Sequence, residues 1–277
     1  MRWKQFLTPV KSLDADKARA FIHDHDEGEY EIVDVRQPKE YQAGHIPGAR
    51  LAPLGELDEK TRDLDKDKPV LVYCAVGGRS RVAAQIMAGK GFGRVLNLSG
   101  GFKAWNGEAA YGPVDQGLHL FGESLDLRDS LLTAFGLEQG LQEMYLLLAD
   151  RASADKAKDL FRKLADIEQK HKARLLEEYR RRVAEDAQMP DMETRARDQA
   201  AEGGLTTEQY MQRFQPDLDD LENVLSMAMS IEAQAMDLYE RAARRMEDEK
   251  ARQALIRLGQ EEKEHLQRLG ELMDEPD

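Results

Sequence analysis

A pattern of carboxylate, imidazole and tyrosine side chains occurs twice in this chain, with an offset of 94 residues between equivalent positions. The first copy consists of Glu138, Tyr145, Glu168 and His171, and the second of Glu232, Tyr239, Glu262 and His265. In both copies the neighbouring leucines and alanines follow at steps of three and four residues, which puts all of them on one helix face. The repeat therefore predicts two equivalent helical hairpins that enclose polar side chains.

The carboxylates of the repeat lie within the apolar stripes that should face the core of a helical bundle. Burying unpaired carboxylates is prohibitively unfavourable, whereas a pair of divalent cations removes that penalty. One Glu from each of two helices and Glu-x-x-His from each of the other two form the ligand set of dinuclear carboxylate bundles. The predicted ligands are Glu138, Glu168, His171, Glu232, Glu262 and His265. Hard carboxylates with one imidazole per metal predict two iron ions, with manganese as the alternative.

The charge distribution divides the 277-residue chain into two parts. Residues 1–115 carry 17 basic and 17 acidic side chains and the remainder carries 23 and 36, so the net charge of −13 lies in the second part. An acidic surface argues against nucleic-acid binding. No apolar run approaches the roughly 20 residues that span a bilayer, and the N-terminal residues lack the apolar region of a signal peptide. Since the single cysteine excludes an internal disulfide, we expect a cytoplasmic protein. From the charge and the apolar runs, we expect no nucleic-acid partner and no membrane partner.

Periodicity predicts an α/β domain at residues 1–110, a linker at 111–123 and an all-α domain at 124–277. In the first domain, short strands at 31–35, 69–74 and 95–98 alternate with helices at 14–25 and 79–91, which favours a mostly parallel sheet. In the second, four helices are predicted at 127–151, 154–185, 217–246 and 249–273. Two hairpins joined by one long crossover are the ferritin-like arrangement of a four-helix bundle.

Cys74 ends a predicted strand and begins the sequence Cys74-Ala75-Val76-Gly77-Gly78-Arg79-Ser80, which leads into a helix. Such a loop, at the carboxyl end of a parallel strand, lies where α/β proteins bind ligands. Backbone amides at the two glycines, the helix dipole and Arg79 should lower the thiol pKa. We therefore predict Cys74 and Arg79 as catalytic residues, and Ala75, Val76, Gly77, Gly78 and Ser80 as the substrate-binding loop. The alternative is a buried structural cysteine.

The first domain resembles a single-domain rhodanese over residues 8–105. Three segments carry the resemblance: Asp34-Val35-Arg36 with residues 40–49, the Cys74 loop, and Leu98-Ser99-Gly100-Gly101-Phe102 with Trp105. It implies that Cys74 takes sulfane sulfur from a small-molecule donor, such as thiosulfate or a persulfide, and passes it to a thiol or other acceptor. The six-residue loop from Cys74 to Arg79 matches that of sulfurtransferases rather than the longer loop of related phosphatases.

The second domain resembles the rubrerythrin branch of the ferritin-like superfamily, with Glu-x6-Tyr on two helices and Glu-x-x-His on the other two. The resemblance implies the six ligands given above, Glu168 and Glu262 as bridges, hydrogen bonds to ligands from Tyr145 and Tyr239, and a homodimer. Two features depart from this family. Ala235 replaces a Glu used when the iron is oxidised, and one cysteine cannot form a rubredoxin site, so an external electron donor is required.

Together these patterns predict a bifunctional protein of sulfur and oxidative-stress chemistry, with sulfur transfer through a Cys74 persulfide and di-iron-dependent reduction of peroxide or O2. One alternative is that the helical domain only binds or senses iron without turnover. Another is that the rhodanese-like domain only docks proteins, with Cys74 idle. Chemical coupling between the two sites is a hypothesis that rests on their fusion alone.

Overall fold

A computed structural model describes residues 9–121, 126–196 and 205–274 of the chain. The chain divides into two compact units, Met1–Val114 and Asp115–Asp277. The division falls inside the predicted linker at 111–123. None of the helices among the described residues combines the length and the hydrophobicity that crossing a membrane requires.

Among the described residues of the first unit, five strands form one parallel sheet in the spatial order β1-β5-β4-β2-β3. The strands are β1 (Lys11–Leu13), β2 (Glu31–Asp34), β3 (Arg50–Leu51), β4 (Val70–Tyr73) and β5 (Val95–Leu98). The helices are α1 (Ala15–His23), α2 (Pro38–Gln42), α3 (Leu57–Lys60), α4 (Gly78–Gly89) and α5 (Gly101–Ala104). This architecture confirms the predicted α/β class with a parallel sheet.

Apolar side chains cover both faces of this sheet, as a parallel sheet between layers of helices requires. Successive residues of β4 point to opposite faces, so Val70 and Val72 join one buried cluster while Leu71 and Tyr73 join another. β4 lies in the middle of the sheet, between β2 and β5. The residue that follows it, Cys74, is therefore flanked by neighbouring strands at the carboxyl edge.

The shortest elements of the first unit are absent from the prediction. Strands β1 and β3 have three and two residues, and α2, α3 and α5 have four or five. Segments this short do not complete enough periods to show an apolar pattern. The predicted strands agree with β2, β4 and β5 to within one residue at each end.

The second unit is helical. Its helices are α6 (Leu127–Arg151), α7 (Asp155–Arg182), α8 (Met189–Ala196), α9 (Thr207–Phe214), α10 (Leu221–Ala243) and α11 (Glu249–Asp274). α6 packs against α7 and α10 against α11, which are the two predicted hairpins. This arrangement confirms the predicted all-α class of the second domain.

Two features of the helical unit differ from the prediction. α10 begins four residues later than predicted, because Asp220 caps it by accepting a hydrogen bond from the Glu222 N–H at 2.9 Å. The crossover, predicted as one long connection, contains α8 and α9, and a capping box between Thr206 and Gln209 begins α9. The predicted Gly203-Gly204 turn lies outside the described residues.

The core of the bundle consists of two apolar clusters. One contains Leu131, Leu175, Tyr239 and Leu258, and the other contains Leu141, Leu164, Ile231 and Leu269. On each of α6, α7, α10 and α11 the predicted metal ligands come between members of the two clusters in sequence. A polar layer therefore separates two apolar halves of the same core.

Candidate functional sites

Cys74 begins the loop that connects β4 to α4, and its side chain is buried. Its Sγ atom accepts a hydrogen bond from the Gly77 N–H at 3.1 Å and lies 3.5 Å from the Ser80 hydroxyl oxygen. Gly77 adopts a φ of +95°, a left-handed conformation that favours glycine. The loop therefore curls around the sulfur and brings Cys74 together with the predicted loop residues.

The start of α5 holds this loop in place. Phe102 donates its N–H to the Cys74 carbonyl oxygen at 2.7 Å. Gly101 precedes it with a φ of +59°, and a Cβ at this position would lie 2.2 Å from the same oxygen. Only glycine permits so close an approach of the two backbone segments, so the second glycine of Gly100-Gly101 has a clear steric role.

The hydrogen bonds around Sγ favour its ionised form. Burial raises the pKa of the Cys74 thiol, but hydrogen bonds from the Ser80 side chain and from the backbone N–H groups of Ser80, Val76 and Gly77 outweigh it. The pKa therefore lies below its ordinary value. Since the thiolate is the nucleophilic form of cysteine, the loop prepares Cys74 to attack.

Arg79, which is expected to help lower the pKa of the Cys74 thiol, also forms an ion pair with Glu40. Its two terminal nitrogens donate to the Glu40 carboxylate, at 2.9 and 2.7 Å. Hydrogen bonding from Arg79 is the main reason that the pKa of Glu40 falls to about 2. Glu40 also raises the pKa of Arg79, to which the Cys74 sulfur makes a smaller contribution. Arg79 is thus within electrostatic reach of Sγ, with its charge already balanced by Glu40.

The polar contact between Ser80 and Asn97, behind the loop, is absent from the prediction. The Ser80 hydroxyl lies 2.7 Å from Asn97 Oδ1, and Asn97 Nδ2 donates to the Ser12 hydroxyl at 3.1 Å. Asn97 is buried in the middle of β5, where every other residue is apolar. A polar residue inside an apolar strand is the signal that could have identified it.

Asp34 and Arg36 form a buried ion pair at the same edge of the sheet. Arg36 Nη2 lies 2.7 Å from Asp34 Oδ2 and also donates to the Gly44 carbonyl oxygen at 2.7 Å. Its guanidinium carbon lies 4.3 Å from the centre of the Phe102 ring. These contacts fix the loop that carries Gly44 against α5, so the pair supports the site from outside.

In the helical unit, the predicted metal ligands come together in the buried polar layer. His171 Nδ1 lies 3.2 Å from Glu138 Oε2 and 2.8 Å from Glu168 Oε2. On the second hairpin, His265 Nδ1 lies 3.1 Å from Glu262 Oε2 and 4.0 Å from Glu232 Oε2. The two imidazole rings stack, with centres 4.1 Å apart. All six predicted ligands therefore belong to one compact site.

Burial and mutual repulsion dominate the electrostatics of this layer. Burial is the main cause that raises the pKa of Glu168 and of Glu232, and neighbouring carboxylates raise both further. Burial opposes protonation of His171, but Glu138 and Glu168 outweigh it and raise the pKa of that imidazole. Burial and the charge of His171 together lower the pKa of His265. Without a cation, these buried carboxyl groups therefore tend to take up protons, whereas a bound cation would favour their ionised forms.

The residues present fit a pair of divalent cations. Ligand atoms of Glu138, Glu168 and His171, and of His171, Glu262 and His265, lie within 4.8 Å of one another in two groups. Within the described part of the chain, Glu138 Oε1, Glu168 Oε1 and Glu232 Oε2 are buried and have no hydrogen-bond donor. Buried carboxylate oxygens that lack a donor are poorly explained by structure alone and are well explained as metal ligands.

A cavity of about 280 Å³ lies beside the layer. Its apolar lining includes Leu131, Leu175 and Leu258, which are one or two helical turns from ligands on α6, α7 and α11. Charged residues complete the lining, among them Arg174 and Glu261, whose side chains lie 3.7 Å apart. The cavity is large enough for a small molecule.

Tyr145 and Tyr239 are both completely buried on the stripes that carry Glu138 and Glu232. Tyr145 packs near Phe161, with ring centres 6.4 Å apart. Their predicted hydrogen bonds to ligands stay a prediction. Ala235 is also completely buried, one turn after Glu232, so no carboxylate reaches the layer from that position.

The fold and the two sites define a protein that joins a nucleophilic-cysteine α/β domain to a carboxylate–histidine helical bundle. The family model for the rhodanese-like domain matches residues 15–108, and the rubrerythrin model matches residues 129–273. The chain therefore belongs to the rubrerythrin family, with a rhodanese-like domain ahead of its rubrerythrin domain. Both matches confirm the resemblances that the sequence motifs indicate.

Three relatives show what the chain is similar to. It is 40% identical over 88 residues to the thiosulfate sulfurtransferase GlpE of Pseudomonas entomophila (strain L48), covering 30% of this chain and 81% of that protein. In Bacillus subtilis (strain 168), it is 44% identical over 78 residues to the uncharacterized protein YqhL, covering 28% of this chain. It is also 37% identical over 100 residues to the putative sulfur carrier protein YrkF, covering 36% of this chain. The chain spans 62% of YqhL and 52% of YrkF.

Proposed function

We propose that this protein combines sulfane-sulfur transfer at Cys74 with metal-dependent reduction of peroxide or O2 at the buried layer of its bundle. The observation that carries the first activity is the buried Cys74 Sγ, which accepts a hydrogen bond from the Gly77 N–H at 3.1 Å. Similarity to a protein named as a thiosulfate sulfurtransferase and to one named as a putative sulfur carrier supports it.

Sulfur transfer proceeds in two displacements at Cys74. The thiolate attacks the outer sulfur of the donor, so a new S–S bond forms while the donor's bond to that sulfur breaks. The bonding electron pair leaves with the rest of the donor. An acceptor nucleophile, such as a thiolate, then attacks the outer sulfur of the Cys74 persulfide and restores the Cys74 thiolate. The Gly77 N–H and the Ser80 hydroxyl stabilise the negative charge on Sγ before the first displacement and after the second.

The mass of the intact protein tests this proposal. Incubation with a sulfane-sulfur donor should add the mass of one sulfur atom, and peptide mapping should place it on Cys74. Addition of dithiothreitol should remove that sulfur and return the protein to its original mass. A protein that gains no sulfur from either thiosulfate or a small-thiol persulfide would contradict sulfur transfer.

For the second activity, we assign two iron ions, with manganese as the alternative, to the six ligands of the layer. Glu168 and Glu262, one from each Glu-x-x-His pair, would hold the pair of ions together with the other four ligands. A bound pair of such ions supplies the electrons for reducing an O–O bond. The protein itself orients the ligands on four rigid helices and excludes water with an apolar cluster on either side.

This sequence cannot form a rubredoxin-type iron site that would supply electrons to the bundle. Its single cysteine lies in the sulfur-transfer loop, and a rubredoxin iron needs four. We therefore propose an external electron donor for the bundle. The cavity next to Leu131, Leu175 and Leu258 is the proposed route for peroxide or O2.

Metal content and the visible spectrum test this second activity. Protein purified from iron-supplemented cells should contain two irons per chain and show the absorption of a ferric centre. Glu168→Ala should lose both, because it removes one of the six residues that would hold the ions. Consumption of peroxide by the wild type with a chemical reductant, and its loss in Glu168→Ala, should then establish turnover. Protein without metal, or with a single zinc, would contradict the assignment.

One observation favours a simpler role for the bundle, namely iron binding or sensing without turnover. Ala235 stands where a further carboxylate would reach the layer, and the structure supplies no other at that position. This alternative predicts tight iron binding with negligible consumption of peroxide or O2. Sustained turnover would exclude it.

We propose a cytoplasmic setting, since a free catalytic thiol is preserved in a reducing compartment. The partners are then a small-molecule sulfur donor, a thiol or other acceptor, and the external electron donor. Neither nucleic acid nor a membrane is proposed as a partner. A homodimer is proposed from the rubrerythrin resemblance, and its mass in solution tests that assembly.

A further inference from the structure

The charge around Cys74 restricts which sulfur donors the loop can favour. From Cys74 to Ser80 the loop contains one cationic residue, Arg79. Arg79 donates from both terminal nitrogens to the Glu40 carboxylate. Its charge is therefore balanced before a substrate binds. The tip of the loop is uncharged, and Val76 there exposes 64% of its surface.

Other cations near this edge of the sheet do not make up for that balance. Arg36 is buried against Asp34, which neutralises it. Arg81 and Lys103 flank the loop, but their side chains are exposed, and water and salt screen exposed charges. Among the described residues of the first unit, the sulfur atom therefore has two neutral donors, the Gly77 N–H and the Ser80 hydroxyl, and its interaction with Arg79 is shared with Glu40.

We propose that Cys74 takes its sulfur from a weakly charged persulfide of a small thiol in preference to the thiosulfate dianion, and that Glu40 sets this preference. The inference rests on the proposed sulfur transfer at Cys74. With thiosulfate, the attacking thiolate and the dianion would bring three negative charges together beside a neutralised ion pair. With a neutral persulfide, the attacking thiolate brings the only negative charge. The Gly77 N–H and the Ser80 hydroxyl can stabilise that single charge.

The persulfide reaction balances without a further reactant. The Cys74 thiolate attacks the outer sulfur of R–S–SH and forms the new S–S bond. The bond between the two donor sulfurs breaks, and its electron pair leaves with R–S⁻. The proton stays on the transferred sulfur, so the products are Cys74–S–SH and a thiolate. No oxidant or reductant is required, because one sulfur–sulfur bond replaces another.

The test compares two donors in the formation of the Cys74 persulfide under single-turnover conditions. The persulfide of 2-mercaptoethanol, which has no other ionisable group, and thiosulfate serve as probes, and the mass of the intact protein reports the rate constant for each. Persulfides react faster with thiolates even in free solution, so the informative quantity is the change in the ratio of the two rate constants. Glu40→Gln should raise the thiosulfate-to-persulfide ratio about tenfold, because it leaves the Arg79 charge uncompensated.

Glu40→Gln is chosen because Glu40 also caps α2 by accepting a hydrogen bond from the Gln37 N–H at 3.0 Å. Glutamine keeps an oxygen at this position, so the cap is retained while the charge is lost. Adding Arg79→Gln to Glu40→Gln removes both charges and should return the ratio towards that of the wild type. Val76→Lys adds a cation at the exposed tip of the loop, and Val76→Gln is its uncharged control. The lysine variant should show the higher thiosulfate-to-persulfide ratio.

The outcomes separate this inference from the sulfur transfer on which it rests. A wild type that accepts sulfur from neither donor overturns both. A wild type that transfers sulfur, with a ratio that Glu40→Gln and the Val76→Lys comparison leave unchanged, overturns the preference and keeps the activity. A rise in the ratio in both charge variants, reversed by the added Arg79→Gln, supports it.

Discussion

The Cys74 loop and the buried layer of the bundle are built from different parts of the polypeptide. At Cys74 one side chain is surrounded mainly by backbone N–H groups, and close packing of Gly101 against the Cys74 carbonyl holds the loop in shape. In the layer, side chains supply every proposed ligand, and the helical backbone carries them at steps of three and four residues. The first site depends on backbone conformation and the second on the identity of buried side chains.

The two sites therefore differ in what they need from their surroundings. The backbone N–H groups of the Cys74 loop donate to the thiolate itself. The loop therefore needs no bound ion or cofactor to pair these donors. The carboxylates of the layer repel one another, and several of their oxygens have no donor among the described residues. We therefore expect a bound cation to stabilise the layer, and we expect that disturbing one site will leave the other unchanged.

The largest expected effect is on sulfur transfer in Cys74→Ser. A serine hydroxyl remains almost fully protonated at neutral pH and cannot form a persulfide, so transfer should fall by at least about a thousandfold. The metal content and visible spectrum should match those of the wild type, because no ligand changes. Sulfurtransferase assays and elemental analysis of the same preparation check both statements. Loss of metal in this variant would show that the two sites are not independent.

Removal of the metal should have the next largest effect, and it should be confined to the helical unit. A ligand present at a thousand times its dissociation constant stabilises the folded state by about 4 kcal/mol, so its removal costs a similar amount. Hydrogen exchange should accelerate in α6, α7, α10 and α11 and stay unchanged in the first unit.

A double substitution provides the control for metal removal. Glu168→Gln with Glu232→Gln replaces, at nearly constant volume, two buried carboxyl groups whose pKa values are raised. Without metal, the helices of this variant should exchange more slowly than those of the metal-free wild type, because glutamine avoids the cost of either protonating these carboxyl groups or keeping them charged in the layer. Equal exchange with and without metal in the wild type would contradict the role assigned to the cation.

The contrast between side-chain and backbone construction also explains how much the sequence reveals. Glu138, Glu168 and His171 could be identified because helical periodicity and a second copy reveal side chains on one face. Cys74 and its glycines could be identified from their order in the chain. The contacts of Glu40 with Arg79 and of Asn97 with Ser80 could not be predicted, because they join segments that are distant in sequence. For the same reason, strands of two or three residues such as β1 and β3 escape prediction, since neighbouring strands define them.

Gly101→Ala should destabilise the first unit more than a comparable glycine substitution elsewhere. A Cβ at Gly101 would lie 2.2 Å from the Cys74 carbonyl oxygen, in a backbone of positive φ. We expect a loss of about 2 to 4 kcal/mol, since both a steric clash and an unfavourable conformation contribute. Gly91 is the matched control, because its φ is +95° and nothing lies within 4 Å of an added Cβ.

Gly91→Ala should therefore lose only about 1 kcal/mol, the conformational part alone. Denaturant unfolding followed by tryptophan fluorescence measures both values in the first unit, because both tryptophans of the chain, at positions 3 and 105, belong to it. Sulfur transfer should fall with Gly101→Ala and stay near the wild-type rate with Gly91→Ala. Equal losses of stability in the two variants would remove the steric part of the explanation.

The smallest effects should come from substitutions at Ser80 and at its hydrogen-bond partner Asn97. The two substitutions should shift the pKa of Cys74 in opposite directions. The Ser80 side chain is the largest of the contributions that lower the pKa of Cys74. In Ser80→Ala the pKa should rise, so the thiolate forms only at higher pH and transfer at neutral pH should fall about fivefold. The rate rises with pH as the thiolate forms, so the acidic limb of the pH–rate profile should move to higher pH.

Asn97→Leu should act in the reverse direction. The Ser80 hydroxyl has one proton, and Asn97 Oδ1 at 2.7 Å competes for it with the Cys74 sulfur at 3.5 Å. Without that acceptor the proton is available to Sγ, which should lower the pKa of Cys74 and move the acidic limb to lower pH. Ultraviolet absorbance of the thiolate during a pH titration measures both shifts without a substrate. Shifts of the same sign in the two variants would mean that Asn97 holds Ser80 in position, rather than competing for its proton.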